Sequence, residues 1–313
     1  MVRVMFRTSG ALMRAQWKPM AAKSALRNAS KTARWSSSVV TPEWLRESDV
    51  KSGKVRVLDC DHPIAFQRAH IPHATSFAGF KATTLKDPRG GSGVISQSDF
   101  QQLVDIMAID GDSTLVFYDD ELGMGATRAW WVFLHYGYPK DKLKVLDGGW
   151  KQWMTDIKEV EDGPGVDYSS SHSSARPLSP TGQLLGLDDV QTALLTDSSQ
   201  FVDARSHAEY IGAQANGNRR VGHVPGAVHL EWKEGVDFHH NGRFKSKSEL
   251  EKQVQHLIKD PSKPLITYCQ RGIRAAHSAF VLQEILGYKD VKIYEDSMAQ
   301  YLNREDTAIE HLE

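Results

Sequence analysis

The sequence predicts an α/β protein made of two tandem domains, each a parallel sheet flanked by helices. Three observations carry that reading. The chain has 313 residues, more than one average domain needs. Its two halves repeat one another at a separation of about 145 to 150 residues. Within each half, short apolar strands alternate with segments of helical period, the pattern of a parallel sheet.

The elements of the repeat follow in order. The first half opens with Val55-Arg56-Val57-Leu58-Asp59-Cys60, then Phe66 and the turn His70-Ile71-Pro72-His73-Ala74. The second opens with Gln200-Phe201-Val202-Asp203-Ala204-Arg205, then Tyr210 and His223-Val224-Pro225-Gly226-Ala227. Further on, the halves match without a gap at an offset of 150: Leu115 to Asp119 over Leu265 to Cys269, and Gly137-Tyr138 over Gly287-Tyr288. A strand candidate and an acidic residue follow each Gly-Tyr pair. Phe100, Leu103, Val104 and Met107 form one helix face after a cap at Ser98. Leu250, Val254 and Leu257 do the same after Ser246, where Glu249 completes a capping box. Glu161 to Gly182 is rich in Gly, Pro and Ser, so the boundaries read as a first domain at 39–160, a linker at 161–185 and a second domain at 186–313. Lys86 to Gly93 is a loop inside the first domain.

Composition excludes several classes. Lys plus Arg number 38 and Asp plus Glu 39, which gives no electrostatic argument for nucleic acid or a membrane surface. No apolar run approaches the ~20 residues of a membrane span. Cys60 and Cys269 are the only cysteines, too few for a disulfide framework and unlike a metal site in spacing. His239, His240 and His277 form no ligand constellation and read as surface or packing residues, so neither metal nor cofactor is expected. Before Glu43 the chain carries eight Lys and Arg and no acid, and residues 1–38 are rich in Ala and Ser. That is the composition of a transit peptide, and it predicts a mitochondrial, matrix location.

The stretch with chemistry in it is the end of the strand Leu265 to Tyr268. It delivers Cys269 into the turn Gln270-Arg271-Gly272-Ile273-Arg274, and a helix over Ala275 to Leu286 follows. Free backbone N–H groups at a helix start, the helix dipole and two arginines all favour thiolate over thiol. The first half has Asp119 at the same place and the acidic turn Asp120-Glu121-Leu122-Gly123, which would repel an anion. That half therefore reads as structural. Cys60, just after a buried strand, reads as a core residue.

From Thr41 to about Tyr301 these motifs resemble the two-domain form of the rhodanese family. The residues carrying the resemblance are Asp203-Ala204-Arg205, Gly222 to Ala227, and Tyr268 to Arg274. The resemblance implies tandem rhodanese-like domains, the first inactive and the second catalytic. It implies sulfur transfer from thiosulfate, or alternatively 3-mercaptopyruvate, through a Cys269 persulfide to cyanide, a small thiol or a thioredoxin-like protein. Gln270, Arg271, Gly272, Ile273, Arg274 and Arg205 would bind the donor, although an Asp-x-Arg after a strand also suits a structural ion pair for Arg205. A basic residue at 271 is nearer the thiosulfate-using pattern than the Gly and Ser of mercaptopyruvate enzymes. Two departures stand out: Glu209 occupies a position that many members fill with Arg, and the usual Asp-Gly-Ser-Trp segment is Glu295-Asp296-Ser297-Met298.

Two rival readings use the same fold. A related dual-specificity phosphatase needs five residues between cysteine and arginine, whereas four separate Cys269 from Arg274. A non-enzymatic persulfide carrier or binding module would show no turnover.

Overall fold

The computed structural model describes residues 37–77, 93–166 and 178–311. The basic segment 1–38, apart from its last two residues, and most of the loop at 86–93 lie outside the described residues.

Two five-stranded parallel sheets have the same strand order. The first contains β1 (Val39–Val40), β2 (Val55–Asp59), β3 (Ala74–Ser76), β4 (Thr114–Tyr118) and β5 (Leu143–Leu146), ordered β1-β5-β4-β2-β3. The second contains β6 (Leu184–Leu185), β7 (Gln200–Asp203), β8 (Val228–His229), β11 (Leu265–Tyr268) and β12 (Val291–Tyr294), ordered β6-β12-β11-β7-β8. An antiparallel hairpin, β9 (Val236–Asp237) and β10 (Arg243–Phe244), belongs to neither sheet. The helices of the first domain are α1 (Pro42–Glu47), α2 (Pro63–Arg68), α3 (Gln97–Ile106), α4 (Met124–His135) and α5 (Gly149–Asp156). Those of the second are α6 (Leu187–Leu195), α7 (His207–Tyr210), α8 (Lys247–Val254), α9 (Ile273–Phe280) and α10 (Ser297–Tyr301).

β2 and β11 are buried along their whole length, and β4 and β7 at every residue but the first, as parallel strands covered on both faces must be. In each domain the tyrosine that ends the middle strand reaches the His-x-Pro turn. Tyr118 Oη accepts from the Ile71 amide and Tyr268 Oη from the Val224 amide, both at 3.2 Å.

Local details differ from the sequence reading at three points. The cap of α3 is Ser96, whose Oγ accepts from the Asp99 amide, and Ser98 sits inside the first turn. Helix α8 keeps its Ser246–Glu249 capping box but ends at Val254, so Ile258, not Leu257, completes the buried face. Both ends of the segment read as linker belong to the domains. Glu161 bridges to His70 and Val166 donates to the Ala74 carbonyl at 3.2 Å, while β6 pairs with β12.

Helix α4 packs against α9, and one apolar cluster runs through both domains. Trp130 meets Phe280 edge to face with ring centroids 5.1 Å apart. Burying such side chains contributes roughly 1.5–3 kcal/mol each. Polar ties cross the same boundary: Arg128 to Glu295, Arg243 to Asp147 at 2.7 Å, and Lys140 with Ser38 to Glu284 at 2.7 and 2.6 Å.

Gly149 opens α5 at φ +52°, and a Cβ there would lie 2.1 Å from the Asp119 carbonyl oxygen. Gly149→Ala is expected to cost about 2–4 kcal/mol, read as a lowered denaturation midpoint in urea. An unchanged midpoint would mean that this close approach does not exist.

Candidate active site

Cys269 stands at the carboxyl end of β11, the central strand of the second sheet, with 1% of its surface exposed. Gly272 follows at φ +79° and caps α9. The turn is held from one side by α10. Cys269 donates its amide to Ser297 Oγ at 3.1 Å, and the Cys269 and Gln270 carbonyls accept from Met298 and Ala299. Ser297 adopts φ +51° and anchors its hydroxyl on the Tyr294 carbonyl at 2.7 Å. Gln270 is fixed by a reciprocal amide pair with Asn218, at 3.0 and 3.1 Å.

The first domain shows what such a turn binds. Asp119 is buried, and its carboxylate accepts the amides of Glu121 at 2.9 Å, Gly123 at 2.8 Å and Ala126 at 2.7 Å. Burial pushes the Asp119 carboxyl up and the three amides pull it back by bonding its oxygens, so the side chain is a built-in acceptor that fills this ring of N–H groups. In the second domain the amides from Gln270 to Ala275 have no protein acceptor among the described residues. Unfilled amides at a helix start form a site for an anion next to Cys269.

The ungapped offset of 150 conceals two changes that cancel. Asp119 and Gly123 are separated by three residues, Cys269 and Gly272 by two. The second turn is therefore tighter by one residue, and Leu122, left-handed at φ +62°, is the extra one in the first. Register returns because α9 continues into a π-helical turn, Val281–Ile285, where Leu286 donates to the Val281 carbonyl. A π turn absorbs one added residue.

The arginines take three different positions. Arg274 forms a two-pronged ion pair with Glu209, at 2.6 and 2.9 Å. Burial pushes the Glu209 carboxyl up, but the bonds and charge of Arg274 and the bonds from Ser206 outweigh it and hold it down to about 2. Arg205 is buried, its guanidinium bound to Asp203 at 2.6 Å and to the Gly222 carbonyl at 2.9 Å, so it braces the turn from behind. Arg271 is exposed and ion-paired to no described residue. Among the predicted site residues, the structure gathers Cys269 to Arg274 in one turn and sets Arg205 beneath it. Glu209, Glu295 and Ser297 support the turn, and the sequence reading noted them only as departures or left them without a role. His277 is packed between Trp232 and Phe244.

Asp61 stands where the second domain has Arg205, so Asp59 faces a carboxyl where Asp203 faces a guanidinium. Burial, then the charges of Asp59 and Asp119, push Asp61 up to about 8. Burial likewise pushes Asp59 up to about 6.

A rhodanese-like domain model matches residues 41–156 and again 187–304. The chain belongs to the rhodanese family. This chain is 31% identical over 271 residues to the putative thiosulfate sulfurtransferase 1 of Mycobacterium bovis, covering 84% of this chain and 94% of that one. It is 30% identical over 283 residues to the sulfur carrier protein TtuD of Thermus thermophilus, covering 85% and 93%. Among solved structures, the anaerobic ergothioneine biosynthesis enzyme of Chlorobium limicola shares the fold, with a TM-score of 0.76 and 20% identity over 88% of this chain and 70% of that one. The family is one of sulfurtransferases, and the rhodanese domains here are of that class.

The two domains should respond oppositely to pH. A carboxyl raised in the folded state binds its proton more tightly when folded, so the Asp59–Asp61 pair costs stability as pH rises from about 4 to 8. Asp61→Asn should therefore raise the melting temperature at pH 8 by several degrees and leave it nearly unchanged at pH 4.5. Glu209 is lowered, so its contribution is full above about 4.5 and is lost as pH falls toward 2. Glu209→Gln should flatten that acid limb in melting curves.

Proposed function

We propose that the protein is a thiosulfate sulfurtransferase that carries sulfur on Cys269. The observation that carries this reading is the run of amides from Gln270 to Ala275, next to Cys269, that have no acceptor among the described residues, set against the Asp119 carboxyl that fills the equivalent amides in the first domain. The Cys269 thiolate attacks the outer sulfur of thiosulfate, an S–S bond forms as the donor's S–S bond breaks, and sulfite leaves with the electron pair. The persulfide's terminal sulfur is anionic and lies where the amides of Arg271 to Ala275 can donate to it. Cyanide or a thiolate then takes that sulfur, and the Cys269 thiolate is restored.

Arg271 supplies the cation for the donor's sulfonate, because Arg274 is committed to Glu209 and Arg205 to Asp203. The same commitments keep Arg274 and Arg205 from clamping a carboxylate, and Arg220 is bonded to the Thr307 and Tyr301 carbonyls, which supports thiosulfate over 3-mercaptopyruvate. A cysteine with 1% exposure suits cyanide, a small thiol or a thiol on a protruding protein segment as acceptor. The basic segment 1–38 would deliver the protein to mitochondria, and a fluorescent fusion of that segment that stayed in the cytosol would end this part of the reading.

With thiosulfate, the intact protein should gain the mass of one sulfur, and Cys269→Ser should gain none and lose thiosulfate:cyanide turnover. Arg271→Ala should raise KM for thiosulfate about tenfold with kcat little changed, the loss of one charge-assisted contact. Faster loading from 3-mercaptopyruvate would reverse the donor assignment. Loading without turnover for any acceptor would make the protein a carrier.

A further inference from the structure

Glu295 follows β12, and Arg128 lies in α4 of the other domain. Both are buried, with 6% and 0% of their surface exposed. Arg128 Nη1 donates to Glu295 Oε2 at 2.7 Å and Nη2 to Oε1 at 2.5 Å. That same Oε2 packs on the Cys269 turn: a Cβ built on Gly272 would lie 2.8 Å from it and 2.7 Å from the Glu295 carbonyl oxygen. The first domain lacks this arrangement. Asp147 occupies the place of Glu295 and bonds Arg243 and the Phe244 amide, and what lies beside Gly123 is the rings of Phe244 and His277. The turn that holds its own carboxyl is backed by rings, and the turn with unfilled amides is backed by an ion pair.

We propose that Arg128, a residue of the domain without the cysteine, is a positioning residue for the Cys269 turn: it holds the Glu295 carboxylate against Gly272 and balances its charge, so that an anion can form at Cys269. This rests on the reading of Cys269 as the sulfur carrier and deepens it. A buried carboxylate beside an anion site is unfavourable unless a cation is bonded to it. Among the described residues, charged groups near the turn include Arg274 with Glu209, Arg205 with Asp203, Asp296 next to Glu295, and the exposed Arg271. Burial pulls the His135 imidazole, at the end of α4, down to about 4, and the charges of Glu295 and Arg128 act on it with opposite signs.

The test is the pH profile for alkylation of Cys269 by iodoacetamide in the full chain, read on the Cys269 peptide by mass so that Cys60 does not interfere. Arg128→Met should move the midpoint upward by roughly one unit and Glu295→Gln should move it downward. Arg128→Lys should restore part of the shift. Arg243→Ala breaks the equivalent cross-domain pair, with Asp147, and should lower the melting temperature without moving the midpoint. Shifts of the same sign in Arg128→Met and Glu295→Gln, or equal effects of Arg128→Met and Arg243→Ala, would show that the pair only docks the domains. If Arg128→Met does not fold, Glu295→Gln decides: a lowered midpoint supports the proposal, and an unchanged or raised one overturns it. Alkylation needs no sulfur donor, so opposed shifts in a protein that never loads sulfur would sink the functional reading and leave the positioning role standing.

Discussion

A short turn between a buried strand and a helix exposes more backbone N–H groups than it can satisfy, and something negative has to answer them. Each domain answers differently. Asp119 folds its own carboxylate into the first turn and completes it permanently. Cys269 is too short and, as a thiol, too weak an acceptor to do the same, so the second turn is complete only when the sulfur is an anion. The rest of the second domain serves that requirement. Ser297 and α10 fix the turn's backbone, Asn218 holds Gln270 aside, and Glu209 turns Arg274 from a mobile cation into part of the wall.

The two domains are one architecture in two chemical states, and small edits separate them. Removing one residue from the turn tightens the ring of amides, and a π turn downstream returns that residue so the helix and following strand keep their places. Exchanging Asp61 for Arg205 replaces a pair of facing carboxyls by an ion pair under the turn. Exchanging Asp147 for Glu295 adds one methylene, and the carboxylate then reaches the turn glycine. None of these edits disturbs the sheet order, which is the same in both domains.

Much of this was legible in the sequence because the repeat displays what varies against what does not. Strand ends, His-x-Pro turns and the cysteine turn follow from local pattern, and so did the contrast between Asp119 and Cys269. The offset of 150 misled, because a deletion and an insertion that cancel leave no gap in a linear comparison. Glu209 looked like the loss of a binding arginine, and only the fold, by setting α7 beside α9, reveals it as the partner of Arg274. Arg128 carried no local signal at all. Its importance lies in a contact across 167 residues, which no periodicity or motif encodes.

The most direct measurement of the central claim is anomalous diffraction at the sulfur positions in crystals treated with thiosulfate. The account predicts a second sulfur about 2.05 Å from Cys269 Sγ, directed into the amides of Arg271 to Ala275. A sulfur pointing away from those amides, or no added sulfur at Cys269, would contradict it.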